Sequence, residues 1–188
     1  MAAAAEDFGV PDLVIANAGV SAGTNSEDLK DIVHLRRLLD VNVVGVAVTL
    51  AAFAPAMRKA GRGTLCCIAS VASFRGLAGN GAYSGSKAAV RTWMESLRVE
   101  MRGSGVSVVT ICPGYIDTPM TRVNRFRMPF LLTADESARR IARAIGRRPR
   151  VAVIPWQMAL VSIALRNMPG WLYDRLAAGA PRKPKSSP

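Results

Sequence analysis

Four short runs constrain this chain most: DLVIANAG (12–19), TLCCIAS (64–70), VSVVTICPG (106–114) and RVAVIP (150–155). Each is a nearly unbroken apolar run that ends in small, polar or turn-forming residues. A strand with one wet face alternates apolar and polar residues, whereas a strand covered on both faces does not. The four runs therefore predict strands of a parallel sheet with helices on both faces, an α/β fold. The intervening segments agree. SEDLKDIVHLRRLLDVN (26–42) has helical spacing at Leu29, Ile32, Val33, Leu35 and Leu39, with Ser26 placed as N-cap. Residues 43–60 predict a second, almost wholly apolar helix, and residues 82–103 a third, closed by Gly103. Residues 133–148 predict an amphipathic helix with Ala138, Ile141, Ala142 and Ile145 on one face. Arg139, Arg140, Arg143 and Arg147 lie on its other face. Residues 156–176 predict two short helices broken at Pro169-Gly170.

At 188 residues and 50% hydrophobic content, the chain can bury one real core, and disorder is not its default state. Cys66, Cys67 and Cys112 lack metal-ligand spacing and predict buried, reduced thiols in strands of a cytoplasmic protein. The N-terminus lacks the basic start and apolar segment of a signal peptide. The nearly uncharged apolar stretch 151–165 has 15 residues and contains Pro155, so no transmembrane helix is expected. The net charge of +12 is uneven. Residues 1–117 carry 11 Lys/Arg against 10 Asp/Glu, and residues 118–188 carry 14 against 3. Basic charge confined to one segment with few interleaved aromatics argues against nucleic acid as a partner.

One further stretch, AYSGSK (82–87), points to chemistry. Tyr83 and Lys87 lie one helical turn apart among small residues that leave room for a ligand at the helix start. A free tyrosine, with a pKa of about 10, is a poor base at neutral pH. A positive charge at roughly 4 Å favours the phenolate by about 4 kcal/mol before desolvation. Ser70, at the end of a strand, can hydrogen-bond the same substrate oxygen. In doubly wound sheets ligands bind beyond the carboxyl ends of the strands. There Asn17-Ala18-Gly19, Ser70 and Pro113-Gly114 join the Tyr–Lys pair.

Taken together, NAG at 17–19, the Asn of DVN at 42, Ser70 in CCIASVAS, YSGSK at 83–87 and PGYIDT at 113–118 resemble the short-chain dehydrogenase/reductase family in order and spacing. The resemblance covers about residues 7–156. It implies a partial doubly wound Rossmann-type sheet whose four strands are equivalent to the family's 4-5-6-7. It also implies hydride transfer between NAD or NADP and a carbonyl/alcohol substrate, with no metal. Tyr83 would be the general acid/base and Lys87 would lower its pKa and hold the nicotinamide ribose. Ser70 would polarise the substrate oxygen, and Asn42 would fix a water of a proton relay. Asn17, Ala18 and Gly19 would lie along the adenosine side of the cofactor. Pro113, Gly114, Ile116 and Thr118 would flank the nicotinamide. A homo-oligomer built on helices 43–60 and 82–103 is also implied.

The sequence departs from the family at its start. The resembled pattern opens with a strand, a glycine-rich turn and a helix, and no such turn occurs here. Roughly 70–80 residues of the pattern, on the order of two βαβ units, have no counterpart. A late-assigned start or a truncated gene is the favoured reading, with impaired activity and weak cofactor binding. A non-catalytic module that self-associates through its two long helices is the alternative. The strand at 12–16 is then expected to be a bare apolar edge. The expected organisation is a catalytic portion (1–156), a helical extension of the same domain (157–179) and a flexible basic tail (180–188). The apolar segment 156–176, with Trp156, Trp171 and Tyr173, is expected to cover the substrate pocket or form a subunit contact; with Arg182, Lys183 and Lys185 beyond it, weak peripheral membrane contact is suggested as a secondary property.

Overall fold

The computed structural model describes residues 9–179. The tail at 180–188 and its basic residues lie outside the described residues. In chain order the elements are β1 (Leu13–Ala16), α1 (Ile32–Leu39), α2 (Gly45–Ala60), β2 (Gly63–Ile68), α3 (Gly81–Glu100), β3 (Val106–Pro113), the short α4 (Pro119–Arg122), α5 (Ala134–Gly146), β4 (Val151–Ile154), α6 (Trp156–Asn167) and α7 (Gly170–Ala177). The strands form one parallel sheet in the order β1-β2-β3-β4.

Both faces of the central strands are covered, which is why their sequences do not alternate. On one face Leu65, Cys67, Val108 and Cys112 pack against Val46, Leu50 and Met57 of α2 and Val90, Met94 and Leu97 of α3. On the other, Cys66, Val109 and Ile111 pack with Ile145 of α5 and Ile154 of β4. Burying a side chain the size of Leu50 stabilises by roughly 1.5–3 kcal/mol. All three cysteines are free and buried, as expected. Desolvation pushes Cys66 and Cys67 up to about 12 and Cys112 up to about 11, so none is a thiolate nucleophile near neutral pH.

β1 pairs with β2 alone among the described residues. Val14 and Ala16 are buried, but Leu13 and Ile15 remain 41% and 44% exposed on the opposite face. The apolar edge anticipated from the sequence is therefore present.

Three local expectations are corrected. Residues 29–60 form one continuous helical run, not two separate helices: a 3-10 turn (Leu29–Asp31) leads into α1, and a π turn (Asp40–Val44) joins α1 to α2. Joined, the run is long and apolar enough to cross a membrane by length and composition. The expectation of no such helix, made on 151–165, missed it. Here Val46, Leu50 and Met57 pack on the sheet, while Val44 and Val48 on the same run stay exposed. The first turn is capped by Asp28, which accepts from the Lys30 amide, rather than by Ser26. In α5 the inward stripe is Ser137, Ile141, Ala144 and Ile145, whereas Ala138 and Ala142 are exposed. Thr133 caps that helix, and α6 and α7 break at Pro169-Gly170 as expected.

The segment after β3 is pinned at both ends. The Asp117 amide donates to the Leu132 carbonyl at 2.8 Å, and the Leu132 amide donates to the Tyr115 carbonyl at 3.1 Å. Residues 115–132 thus form a closed loop carrying α4 beyond the sheet's carboxyl edge.

Candidate active site

The π turn places Asn42 where no regular helix would leave it. The side chain is fully buried and its carboxamide reaches across to the β1–α1 loop. Its oxygen accepts from the Val20 amide at 2.9 Å, and its nitrogen donates to the Val20 carbonyl at 3.0 Å and to Ser86 Oγ at 2.9 Å. Ser86 Oγ in turn donates to the Tyr83 carbonyl at 2.8 Å. Asn42 therefore ties the NAG loop to the start of α3. π turns recur at functional sites because they redirect single residues in this way.

Gly19 sits against both partners. A Cβ there would stand 3.3 Å from Asn42 Oδ1 and 3.4 Å from Lys87 Nζ, tighter than ordinary contact on the carboxamide side. Asn17 and Ala18, just before it, are exposed at the rim.

Lys87 is 4% exposed, and its ammonium donates to the Ile68 carbonyl at 2.9 Å, at the end of β2. Desolvation by this burial pulls its pKa below the usual lysine value. Its Nζ lies 6.0 Å from the centre of the Tyr83 ring.

Tyr83 itself departs from expectation. Its phenol is raised above the ordinary value, not lowered. Burial is the main cause, opposed by a side-chain hydrogen bond with Ser70. The Lys87 ammonium, hydrogen-bonded to the Ile68 carbonyl at the strand end, does not offset that burial. Ser70 is extended, and its hydroxyl accepts from the Ala72 amide at 3.2 Å, which fixes its position.

Ser70, Tyr83 and Gly114 line one cavity of about 340 Å³ at the carboxyl edge of the sheet. That is within the range of small-molecule sites. Asn42 and Lys87 stand behind it. Pro113 is buried at the end of β3, and a Cβ on Gly114 would meet Met158 at 2.9 Å, so only glycine fits there. Ile116 bridges to Leu132, and Thr118 opens α4 in a capping box with Thr121; neither lines the cavity. Of the remaining wall, only cover by the C-terminal apolar segment was anticipated from the sequence, without its residues. Tyr115, Met120 and Phe126 come from the pinned loop, Leu77 from the segment after β2, and Tyr173 from α7. Arg127 is the only charged residue among those that line it. Aromatic spacing in 115–126 was the available signal, but nothing local ties it to residue 173.

The profile of the short chain dehydrogenase family matches residues 1–128. The chain belongs to the short-chain dehydrogenase family. The chain is 43% identical over 166 residues to an uncharacterized oxidoreductase of Myxococcus xanthus, covering 88% of this chain and 65% of that protein. It is 36% identical over 124 residues to a 2-(R)-hydroxypropyl-CoM dehydrogenase of Xanthobacter autotrophicus, covering 65% of this chain and 50% of the relative. The chain thus spans between half and two thirds of these curated relatives. Among solved structures, a short chain dehydrogenase from Burkholderia cenocepacia in complex with NADP superimposes with a TM-score of 0.81 at 26% identity. That match covers 93% of this chain and 74% of the other. The parallel sheet with flanking helices is the Rossmann-like fold expected.

Proposed function

We propose that this chain carries the catalytic portion of a nicotinamide-dependent oxidoreductase acting on a carbonyl/alcohol pair. The supporting observation is that Ser70 and Tyr83 share the wall of one cavity, with the Lys87 ammonium buried behind them. When bound, the nicotinamide supplies or accepts the hydride. Ser70 donates to the substrate oxygen. In the reducing direction the carbonyl carbon gains the hydride, and its oxygen takes the Tyr83 proton, leaving a phenolate. A phenol held protonated by burial is suited to that donation. Lys87 stabilises the phenolate so formed, and Asn42 holds the loop that carries Gly19 beside it.

Residues available to a nicotinamide ribose are Tyr83 and Lys87, with Gly19 too small to obstruct and Pro113, Gly114, Ile116 and Thr118 at the end of β3. Asn17 and Ala18 are exposed toward the adenosine side. Among the described residues no glycine-rich turn after a strand offers backbone amides to a pyrophosphate. The chain alone is therefore expected to hold NAD or NADP weakly. The NADP-bound relative makes NADPH the first cofactor to test. The test complements this chain with the glycine-rich half of a related family member and follows NADPH oxidation against a panel of ketones. Turnover that falls by at least about 100-fold in Tyr83→Phe, with cofactor binding retained, supports the reading. Unchanged turnover overturns it. Self-association belongs to the same proposal: Val44, Val48 and Val99 are exposed on or beside α2 and α3, and light scattering should report a dimer.

A second reading concerns where the protein sits. Trp156, Leu160 and Ile163 recur at helical spacing on α6 and are 60–66% exposed; Trp171 on α7 is 69% exposed. Arg166 and Arg175 flank them, with Asp174 the only acid on these two helices. An apolar aromatic stripe with basic neighbours fits peripheral contact with an anionic membrane. Vesicle co-sedimentation that is stronger with anionic than with neutral lipid at low salt supports it. Equal binding to both refutes it.

A further inference from the structure

The last helix forms part of the cavity wall, and a residue outside the cavity holds it there. Arg75 follows β2 and does not line the cavity. Its Nη1 donates to the Leu165 carbonyl at 3.3 Å and to the Met168 carbonyl at 3.2 Å. These are orphan carbonyls at the C-terminus of α6, where a cation is favoured twice, by hydrogen bonding and by the helix dipole. The same guanidinium lies 4.4 Å from the centre of the Tyr173 ring on α7. The Tyr173 hydroxyl donates to the Gly76 carbonyl, next to Arg75. One arginine thus fastens both C-terminal helices to the segment that leads from Ser70 to Tyr83. Tyr173 and Ala177 on α7 line the cavity.

We propose that the cavity binds a compact, mainly apolar ketone or secondary alcohol, and that Arg75 is a positioning residue that fixes the Tyr173 wall. The ligand class follows from the lining. Val71, Leu77, Tyr115, Met120 and Phe126 provide apolar surface, no carboxylate lines the cavity to await a cationic group, and Arg127 is the single charge on its wall. The assignment rests on reading Ser70 and Tyr83 as the substrate-facing pair.

The test needs no cofactor, because every residue it concerns lies within this chain. Binding of 2-octanone is measured by ligand-observed NMR, together with amide hydrogen exchange. Arg75→Ala is expected to weaken binding by at least about fivefold, the equivalent of one lost hydrogen bond. It should also expose α7 amides to exchange while α3 amides keep their protection. Arg75→Lys should recover only part of the loss, since an ammonium cannot serve two carbonyls and stack on a ring together. Should Arg75→Ala fail to fold, Tyr173→Leu keeps apolar bulk while removing the stack and the hydroxyl anchor, and the same weakening is expected. The double variant should be no worse than the poorer single one, because the two residues act as a unit. Three results overturn the proposal: unaltered chain that does not bind 2-octanone, folded Arg75→Ala that binds like the original, or additive losses in the double variant. Ketone binding without hydride transfer in the complemented enzyme would refute the oxidoreductase reading alone.

Discussion

Lys87 Nζ donates to the carbonyl of Ile68 at 2.9 Å, so the ammonium of the Tyr–Lys pair is anchored to the end of β2. Burial lowers the pKa of Lys87 from 10.5 and raises that of Tyr83 from 10.0, and the two shifts have opposite pH signatures. Below its depressed folded value, Lys87 is charged in both states, and its burial disfavours the native one. As pH rises through that value toward 10.5, the native state releases its proton before the unfolded chain does, so stability increases. Above 10 the unfolded phenol ionises while native Tyr83 stays neutral, so stability decreases. Urea midpoints of Lys87→Met and Tyr83→Phe, each subtracted from the parent across pH 7–11, should isolate one limb apiece.

Asn42→Ala should cost about 2–4 kcal/mol. It opens a cavity and leaves the Val20 amide, the Val20 carbonyl and Ser86 Oγ without the carboxamide that bonds them. Asn42→Asp keeps the acceptor and loses the donor, and should sit between Ala and the parent. Chemical denaturation with matched slopes measures both.

Gly105→Ala tests a close backbone approach. With φ of 76°, a Cβ at Gly105 would fall 1.9 Å from the Gly61 carbonyl oxygen, and backbone cannot swing aside as a side chain can. Thermal unfolding should show a loss of more than about 2 kcal/mol. Gly146→Ala, where a Cβ meets nothing within 4 Å, should be neutral or slightly stabilising.

The three thiols should be silent in the native protein. A thiol at about 12 is about one part in ten thousand thiolate at pH 8, and Cys66 and Cys67 are fully buried besides. A chromogenic thiol reagent is expected to report three equivalents after denaturation and close to none before it. Fast native labelling of any cysteine would contradict the packing of β2 and β3.

The central strands were legible because two-sided burial writes itself into local sequence as an unbroken apolar run. The joining of α1 to α2 was not. Asp40 and Asn42 look like a helix end, and only the contact of Asn42 with Val20, 22 positions away, explains why the helix continues through them. Ser70, Tyr83 and Gly114 were found from motif spacing and do meet at one cavity. The Arg75–Tyr173 contact was invisible, since a lone arginine and a lone tyrosine 98 positions apart carry no local pattern. The direction of the Tyr83 shift was misjudged for a related reason. Sequence spacing places two side chains on one helix face, but the Ile68 carbonyl, outside that helix, decides where the ammonium points.

The loop held between Tyr115, Asp117 and Leu132 works like an interchangeable cartridge. Its attachment is made by main-chain amides and carbonyls, which every amino acid except proline supplies. Its cavity-facing members, among them Met120, Asn124 and Phe126, are supplied by side chains. Holding and lining are thus assigned to different atoms. Residues inside the loop can change identity without asking the sheet to refold, and Ser70 and Tyr83 need not move. The shape of the cavity and the placement of Ser70 and Tyr83 are then free to drift independently in this chain, the first through the six loop positions that line the cavity and the second hardly at all.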